Sequence, residues 1–233
     1  MFNRNRGVKI LSNIVNNVVE DYIRETLKDT EGLLKELEIY AEENSVPIVH
    51  KEVADLLKVL LKMQKPKRIL EVGCAIGYSS ILFATTCGED SDITTCERNP
   101  VMIEKAKENI KRAGFENNIT ILEGDAVEQL QNVEGEFDMI FLDAAKGQYK
   151  LFYDLVIDKL KVGGVLISDN ILYKGMIASD DLVVRRKKTI VKRMRDYLDY
   201  ICNCDYLTTS LLPMGDGVAI SYKDSKRGEN ENA

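Results

Sequence analysis

LEVGCAIGYSS, residues 70–80, joins a short apolar run to a helical pattern. The run over 69–72 predicts a strand, and the pattern from Tyr78 onward predicts a helix. Between them, Gly73 and Gly77 allow a tight turn and let a ligand approach the main chain closely. Their spacing is G-x-x-x-G, so the G-x-G-x-x-G turn that binds the pyrophosphate of a dinucleotide is missing. The segment therefore predicts a strand–turn–helix unit whose ligand is not NAD.

Short apolar runs and helical patterns keep alternating after this unit. Further strands are predicted over 92–96, 118–122, 137–142 and 164–168, and further helices from 99, over 126–130 and over 149–160. This alternation is typical of an α/β fold with a doubly wound, mainly parallel, Rossmann-like sheet. The last two runs, 206–212 and 218–222, flank Pro-Met-Gly-Asp-Gly and predict a hairpin. One edge strand should therefore run antiparallel to the others.

The chain divides into three predicted parts. Apolar residues at helical spacing predict extra N-terminal helices over 8–28 and 31–44, and a third helix over 51–63. We expect residues 1–45 to form a helical extension and residues 46–222 to form the main domain. Residues 223–233 have no apolar residue before the final alanine, so we expect a disordered tail there.

The composition is that of a soluble globular protein. Of the 233 residues 45% are hydrophobic, and 32 basic against 38 acidic residues leave a net charge of −6. No apolar run reaches the ~18 residues of a membrane span, and no secretory signal is evident. The five cysteines should stay reduced, which favours a cytoplasmic protein. Cys202 and Cys204 lack the second pair of a zinc site, and a single histidine, His50, disfavours a His-dependent hydrolase.

Two acidic residues lie close to the glycine turn. Glu71 precedes the turn, where its charge would repel phosphate and attract a cationic ligand. Glu97 ends the second strand, where a carboxylate accepts hydrogen bonds from ribose hydroxyls. An adenosyl group that carries an ammonium and a sulfonium, but no phosphate, suits both acids. We therefore predict S-adenosylmethionine as the cofactor.

Oxygen-bearing side chains follow the fourth and fifth predicted strands. Asp143 comes directly after one strand, and Asp169 and Asn170 come directly after the other. Neighbouring parallel strands end at one edge of a sheet, so these side chains should meet there. Two carboxylates and an amide oxygen suit Mg²⁺ or another divalent cation. Lys146 would then lie beside the cation as a general base, unless it is an ordinary surface lysine.

These motifs resemble a known family. Residues 71–80, 143–146 and 168–170 are similar to those of the cation-dependent O-methyltransferases, the family of the catechol and caffeoyl-coenzyme A enzymes. The likeness runs from about residue 46 to residue 222. Segments 46–49, 168–175 and 212–221 look most like the bacterial tRNA 5-hydroxyuridine methyltransferases, which make 5-methoxyuridine at the wobble position.

The resemblance implies a class I methyltransferase fold, S-adenosylmethionine and Mg²⁺ as cofactors, and a homodimer. It implies a set of residues around the methyl donor: Val49, Glu71, Gly73, Ser79, Glu97, Asp125, Ala126 and Asp143. Asp143, Asp169 and Asn170 would hold the metal, and Asp143 and Lys146 would be the catalytic residues. Ala145 departs from the plant enzymes, which carry an acid there that contacts their acyl substrate.

A basic segment bears on the choice of acceptor. Catechols and 5-hydroxyuridine present the same pair of neighbouring oxygens to a metal, so the metal site cannot distinguish them. In the segment 185–195, four basic residues would share one helix face and suit the phosphates of RNA: Arg185, Lys188, Lys192 and Arg195. We therefore expect wobble 5-hydroxyuridine of tRNA as the acceptor. The alternatives are a small catechol-type acceptor with a merely solvated helix face and, less favoured, a donor-binding module without catalysis.

Overall fold

The computed structural model describes residues 14–229 of the chain. The helices of this part are α1 Asn17–Thr26, α2 Gly32–Asn44, α3 Lys51–Gln64, α4 Tyr78–Cys87, α5 Pro100–Ala113, α6 Ala126–Asn132, α7 Tyr149–Val156 and α8 Lys188–Asn203. The strands are β1 Arg68–Val72, β2 Asp92–Glu97, β3 Ile119–Glu123, β4 Phe137–Leu142, β5 Leu160–Asp169, β6 Leu207–Leu212 and β7 Val218–Lys223.

The strands form one sheet in the order β3-β2-β1-β4-β5-β7-β6. β1 to β5 pair in parallel, whereas β7 runs antiparallel to β5, and β6 runs antiparallel to β7. The strand order reverses at β1, between β2 and β4, which is where ligands bind in doubly wound sheets. The predicted mainly parallel α/β sheet with an antiparallel edge is therefore confirmed.

Helices cover both faces of the sheet, and each face has its own apolar core. On one face Phe83 of α4 packs edge-on against Phe141 of β4, with ring centres 5.5 Å apart. On the other face Leu142 of β4 belongs to the same core as Tyr197 of α8. β4 thus sends alternate side chains to two cores, which explains why its sequence is nearly all apolar.

The first helix is shorter than predicted. α1 begins at Asn17 because the side chain of Asn16 accepts a hydrogen bond from the Val18 amide at 2.9 Å and caps the helix. Residues 8–13 of the predicted helix lie outside the described residues. α2 follows the prediction, and its Leu37 and Ala41 join the core that α3 and α4 form.

The boundary between α7 and β5 also differs from the prediction. α7 ends at Val156 instead of residue 160, and β5 begins at Leu160 instead of residue 164. The pairing of β4 with β5 shifts register between Phe137 and Met139. A Cβ atom on Gly164 would lie only 3.0 Å from the main-chain oxygen of Asp138. The glycine there marks an irregularity within a long strand and not the start of a short one.

The C-terminal strand extends one residue beyond the predicted domain limit of 222. The Lys223 side chain is buried, and its ammonium donates to the carbonyls of Ile157 and Leu160 at 2.7 Å each. Residues 230–233 of the predicted tail lie outside the described residues. Within residues 14–229, no helix is both long and apolar enough to cross a membrane.

Candidate active site

The loops at the carboxyl edge of β1 to β4 enclose a cavity of about 390 Å³, which we call the donor cavity. Small-molecule sites typically have volumes of about 300–1,000 Å³. Most residues of the predicted donor set line this cavity: Val49, Gly73, Ser79, Glu97, Asp125, Ala126 and Asp143. The structure therefore brings together residues from five separate segments that the resemblance had assigned to one ligand.

Gly73 lets the turn after β1 lie directly against the end of β4. Its φ is +110°, and a Cβ atom there would stand 2.0 Å from the main-chain oxygen of Asp143. The Asp143 amide in turn donates to the carbonyl of Val72 at 3.0 Å. Only glycine fits this close approach, which sets the position of Asp143 relative to the donor cavity.

Glu97 is held rigidly at the wall of the donor cavity. Its Oε2 accepts from the amide of Ala75 at 2.9 Å. Its Oε1 accepts from the amides of Arg98 and Asn99 at 2.9 and 2.8 Å. A carboxylate fixed in this way keeps further lone pairs for the hydroxyls of a ribose.

Glu71 is the member of the predicted donor set that does not line the cavity. It is 0% exposed, beneath the turn, where its Oε2 accepts from the hydroxyls of Ser80 and Thr95. Burial raises the pKa of Glu71 to about 7, although hydrogen bonds from neighbouring hydroxyls act in the opposite direction. Glu71 therefore supports the turn through Ser80 and Thr95, and its direct contact with a donor stays a prediction.

The three predicted metal ligands lie together at the ends of β4 and β5. Asp169 is fully buried, and its Oδ1 accepts from the Asn170 amide at 2.6 Å. Among the described residues its Oδ2 has no hydrogen-bond partner. Burial, and then the nearby charge of Asp143, raise the pKa of Asp169 to about 7. A divalent cation would supply both the missing partner and the missing positive charge, so these residues fit the implied metal.

Lys146 lies among these ligands. Its Nζ donates to Oδ1 of Asn170 at 2.7 Å, so Lys146 is part of the site and not a surface lysine. Asn170 has a left-handed backbone with φ of 56°, a conformation that asparagine tolerates better than most residues. Lys146 Nζ thus lies beside the residues that would hold a cation, which is where a general base for the acceptor hydroxyl is needed.

A second depression of about 650 Å³, which we call the side groove, adjoins the donor cavity. The two share a set of lining residues: Ala144, Ala145, Lys146, Gln148 and Asn170. The side groove alone is lined by another set: His50, Gly147, Tyr173, Lys174, Ile190, Arg193 and Asp216. A molecule bound in the groove would therefore reach both Lys146 and Asn170, one of the predicted metal ligands.

The predicted basic stripe needs a correction. Arg185 lies in a 3-10 turn before α8, whereas Lys188 and Lys192 are exposed on α8 itself. Arg195 donates to the carbonyls of Ile177 and Met176 at 2.9 and 3.3 Å, and forms an ion pair with Asp180. Arg195 therefore holds the loop before α8, and RNA binding stays a prediction for all four residues. Arg193 of the same helix, which the predicted stripe left out, lines the side groove.

Arg24 occupies a second cluster of metal-ligand types, made of Glu20, His50 and Glu52. The guanidinium donates to both oxygens of Glu52 at 2.8 and 2.6 Å, and to Glu20 at 2.8 Å. One of its nitrogens lies 2.7 Å from Nδ1 of His50. A cationic side chain already satisfies these groups, so the cluster ties α1 to α3 and is not assigned to a metal.

A Rossmann-like sheet with a donor cavity at its switch point, beside a set of hard oxygen ligands, defines a class I methyltransferase. The chain belongs to the O-methyltransferase family, whose family model matches residues 24–224. The predicted membership of the cation-dependent O-methyltransferases is thereby confirmed. The protein is accordingly an S-adenosylmethionine-dependent O-methyltransferase.

Comparison with individual proteins agrees with this family. The caffeoyl-CoA O-methyltransferase of Medicago sativa is 32% identical over 178 residues, which cover 70% of each chain. A Staphylococcus aureus protein provisionally assigned as a caffeoyl-CoA O-methyltransferase has a crystal structure with a TM-score of 0.83 and 40% identity, covering 88% of this chain and 99% of its own. An S-adenosylhomocysteine-bound methyltransferase of Podospora anserina shares the fold, with a TM-score of 0.82 at 23% identity, covering 94% of this chain and 100% of its own.

Proposed function

We propose that this O-methyltransferase methylates the C5 hydroxyl of 5-hydroxyuridine at the wobble position of tRNA. The observation that carries the proposal is the wall of the side groove. Lys146 and Asn170 line its inner end, and Ile190 and Arg193 of the basic helix α8 line another part. In a protein of net charge −6, a basic wall beside the reacting groups favours a polyanionic acceptor.

The accessibility of a wobble base supports the proposal. The base lies in the single-stranded anticodon loop, where turning it out of its stack costs little. Arg185, Lys188 and Lys192 are exposed at and just before the start of α8. They would contact the RNA backbone while the base enters the side groove.

The residues of the site have separable tasks in methyl transfer. The reaction is an in-line displacement, which needs the acceptor oxygen about 3 Å from the methyl carbon. Asp143, Asp169 and Asn170 would hold the cation, which supplies Lewis-acid polarisation of two neighbouring acceptor oxygens. Asp143 also lines the donor cavity, so one residue belongs to both halves of the site. Lys146 accepts the proton of the acceptor hydroxyl at Nζ.

A small catechol-type acceptor is the second candidate. The curated relatives favour it, because several are named for caffeoyl-CoA. Ala145 lies in the part of the wall that the donor cavity and the side groove share. Because alanine brings no carboxylate there, this position weighs against an acyl ester of that kind. The metal ligands serve both acceptors equally.

Transfer of a labelled methyl group from S-adenosylmethionine would test the proposal. The acceptors are tRNA that contains 5-hydroxyuridine, the same tRNA without that hydroxyl, and catechol, each with and without Mg²⁺. We expect Mg²⁺-dependent transfer to the hydroxylated tRNA only. Transfer to catechol alone would assign the enzyme to small molecules and leave the fold and the metal site unaffected.

We also propose that the protein is a homodimer, as the resemblance implies. α1 leaves Val18 and Tyr22 74% and 67% exposed, an apolar surface that a second copy would cover. Light scattering should give twice the 26.3 kDa mass of one chain. A mass of one chain at micromolar concentration would contradict the dimer.

A further inference from the structure

The side groove is lined by different residues where it meets the donor cavity and where it does not. The residues that it shares with the donor cavity include Lys146 and Asn170, next to the metal ligands. The residues that line the groove alone include Lys174 and Arg193. An acceptor with its reactive oxygen near Lys146 would therefore extend past two more cationic side chains.

Arg193 contacts the segment that carries Lys146. Its Nη1 donates to the carbonyl of Gly147 at 3.4 Å, and a Cβ atom on Gly147 would lie 3.9 Å from that nitrogen. A guanidinium has five N–H donors, so this contact leaves donors for a ligand in the groove. The planar group is suited to bidentate recognition of phosphate oxygens.

Lys174 is presented by an unusual backbone. Tyr173 and Lys174 have φ of 44° and 57°, two successive left-handed residues that are not glycine. The Lys174 amide donates to Oδ1 of Asp216, and the Leu172 amide donates to the carbonyl of Asp216 at 2.9 Å. The hairpin turn therefore holds a strained loop in place. Strain of this kind persists where the surrounding structure fixes it, and it is common at binding sites.

The charges of the groove favour an anion. The lining contains three cationic residues and one acidic residue: Lys146, Lys174 and Arg193 against Asp216. Ile190 lies beside Arg193 and offers apolar surface for the sugar. We propose that Arg193 and Lys174 bind the phosphate on the ribose of the acceptor nucleotide while its base lies at Lys146. This inference rests on the proposed function and adds to it that the enzyme recognises a nucleotide and not a nucleoside.

The test compares 5-hydroxyuridine with 5-hydroxyuridine 3′,5′-bisphosphate as acceptors, at saturating S-adenosylmethionine and Mg²⁺. For the wild-type protein we expect kcat/KM for the bisphosphate to exceed that for the nucleoside at least about tenfold, mainly through KM. Arg193→Gln should bring this ratio to within about threefold of one, and Lys174→Gln should lower it in the same direction.

The control is Arg112→Gln, the same loss of charge at an exposed arginine of α5 that pairs with Glu36. It should keep the wild-type ratio. Calorimetric binding of S-adenosylhomocysteine to each variant checks that it is folded. Because the readout is a ratio of two acceptors, a general loss of activity leaves it unchanged.

Two results overturn the inference while the proposed function stands. One is equal kcat/KM for nucleoside and bisphosphate in the wild-type protein, together with methylation of hydroxylated tRNA. The other is a ratio in Arg193→Gln that matches that of Arg112→Gln. Failure of the proposed function is recognised separately, because catechol would then be methylated and neither hydroxyuridine compound nor tRNA would be.

Discussion

The hydroxyl of Tyr149 donates a hydrogen bond to the main-chain carbonyl of Asp169 at 2.7 Å. The same hydroxyl lies 3.2 Å from the carbonyl of Leu142. One buried side chain at the start of α7 thus connects the ends of β4 and β5, which carry the predicted metal ligands. Burial, and then the charges of Asp143 and Asp169, raise the pKa of Tyr149 well above its usual value, so it remains a donor at working pH.

Tyr149→Phe should weaken metal binding. The change removes the hydroxyl that aligns the two strand ends, and a buried hydrogen bond contributes about 1–1.5 kcal/mol. We expect the Kd for Mn²⁺, measured by electron paramagnetic resonance, to rise about five- to tenfold.

Tyr153→Phe is the matched control for this prediction. Tyr153 lies one turn further along α7, and its hydroxyl is 2.6 Å from that of Tyr206, away from the metal ligands. It should lose similar stability but keep its Mn²⁺ affinity. An equal rise in Kd for both variants would show that general loosening, and not alignment, is responsible.

Asp169→Asn should abolish Mg²⁺-dependent activity and Mn²⁺ binding. The substitution removes one of the two carboxylates, and its Oδ2 is a buried oxygen that has no hydrogen-bond partner among the described residues. In the metal-free protein the same change removes a desolvated charge, so Tm after chelation should stay the same or rise. A lower Tm would indicate that Asp169 serves the fold more than the cation.

Lys146→Gln should lower kcat by about a hundredfold or more, the usual contribution of a general base. Binding of S-adenosylhomocysteine should be retained, because the substitution leaves the glycine turn and Glu97 in place. Lys150→Gln is the control, since Lys150 pairs with Asp154 on the exposed side of α7. A loss of donor affinity that parallels the loss of kcat would contradict a role in proton transfer.

Gly73→Ala should abolish donor binding. An added Cβ would meet the main-chain oxygen of Asp143 at 2.0 Å, so either the turn or the end of β4 must move. Gly88→Ala has a similar positive φ but no atom within 4 Å of the added Cβ, so it separates backbone strain from the clash. Calorimetry with S-adenosylhomocysteine should show binding to Gly88→Ala alone. Equal binding to both variants would refute the close approach.

Stability should fall in acid because of Glu52. Burial alone would raise its pKa, but the hydrogen bonds from Arg24 and His50, the backbone amide and the charge of Arg24 together outweigh burial and lower it to about 2. An unfolded glutamate titrates near 4.3, so the stabilisation is complete above about pH 4.5 and is lost as the pH falls toward 2. Urea unfolding at pH 5 and pH 3 should show a smaller difference for Glu52→Gln than for the wild-type protein.

The control for the acid prediction is Glu108→Gln. Glu108 is an exposed carboxyl, and Lys105 lowers its pKa as well. This variant therefore tests whether any ion-paired acid makes stability depend on pH in the same way. We expect it to keep the wild-type pH dependence almost entirely, because water screens an exposed pair. If both variants lost the pH dependence of unfolding to the same extent, the buried pair would contribute no more than an exposed pair.

Local signals made much of the fold predictable. The helix predicted from residue 99 does begin there: the Asn99 side chain caps α5 by accepting from the Val101 amide at 3.0 Å, and Pro100 is the first helical residue. Neighbouring parallel strands end at one edge of a sheet, and this rule alone predicted that Asp143 and Asp169 lie close together. These inferences depend on a few neighbouring residues or on topology alone.

The parts that were missed depend on contacts between distant segments. The buried position of Glu71 involves a hydrogen bond from Thr95, which lies 24 residues away on β2. The choice between Arg193 and Arg195 as the groove residue depends on the loop before α8, whose carbonyls bind Arg195. Tyr149 connects two strand ends, and nothing in its own neighbourhood marks it out.

Under the proposed function, the side groove has one wall that carries out the chemistry and another that selects the acceptor. The first wall follows β4 and β5, while Tyr173, Lys174, Ile190 and Arg193 all belong to one later stretch of chain. An enzyme arranged in this way can change its acceptor during evolution by altering that stretch alone, with its reaction preserved. Related enzymes that methylate different hydroxyls should therefore diverge most between residues 171 and 195, which makes that stretch the natural unit to exchange in a chimaera.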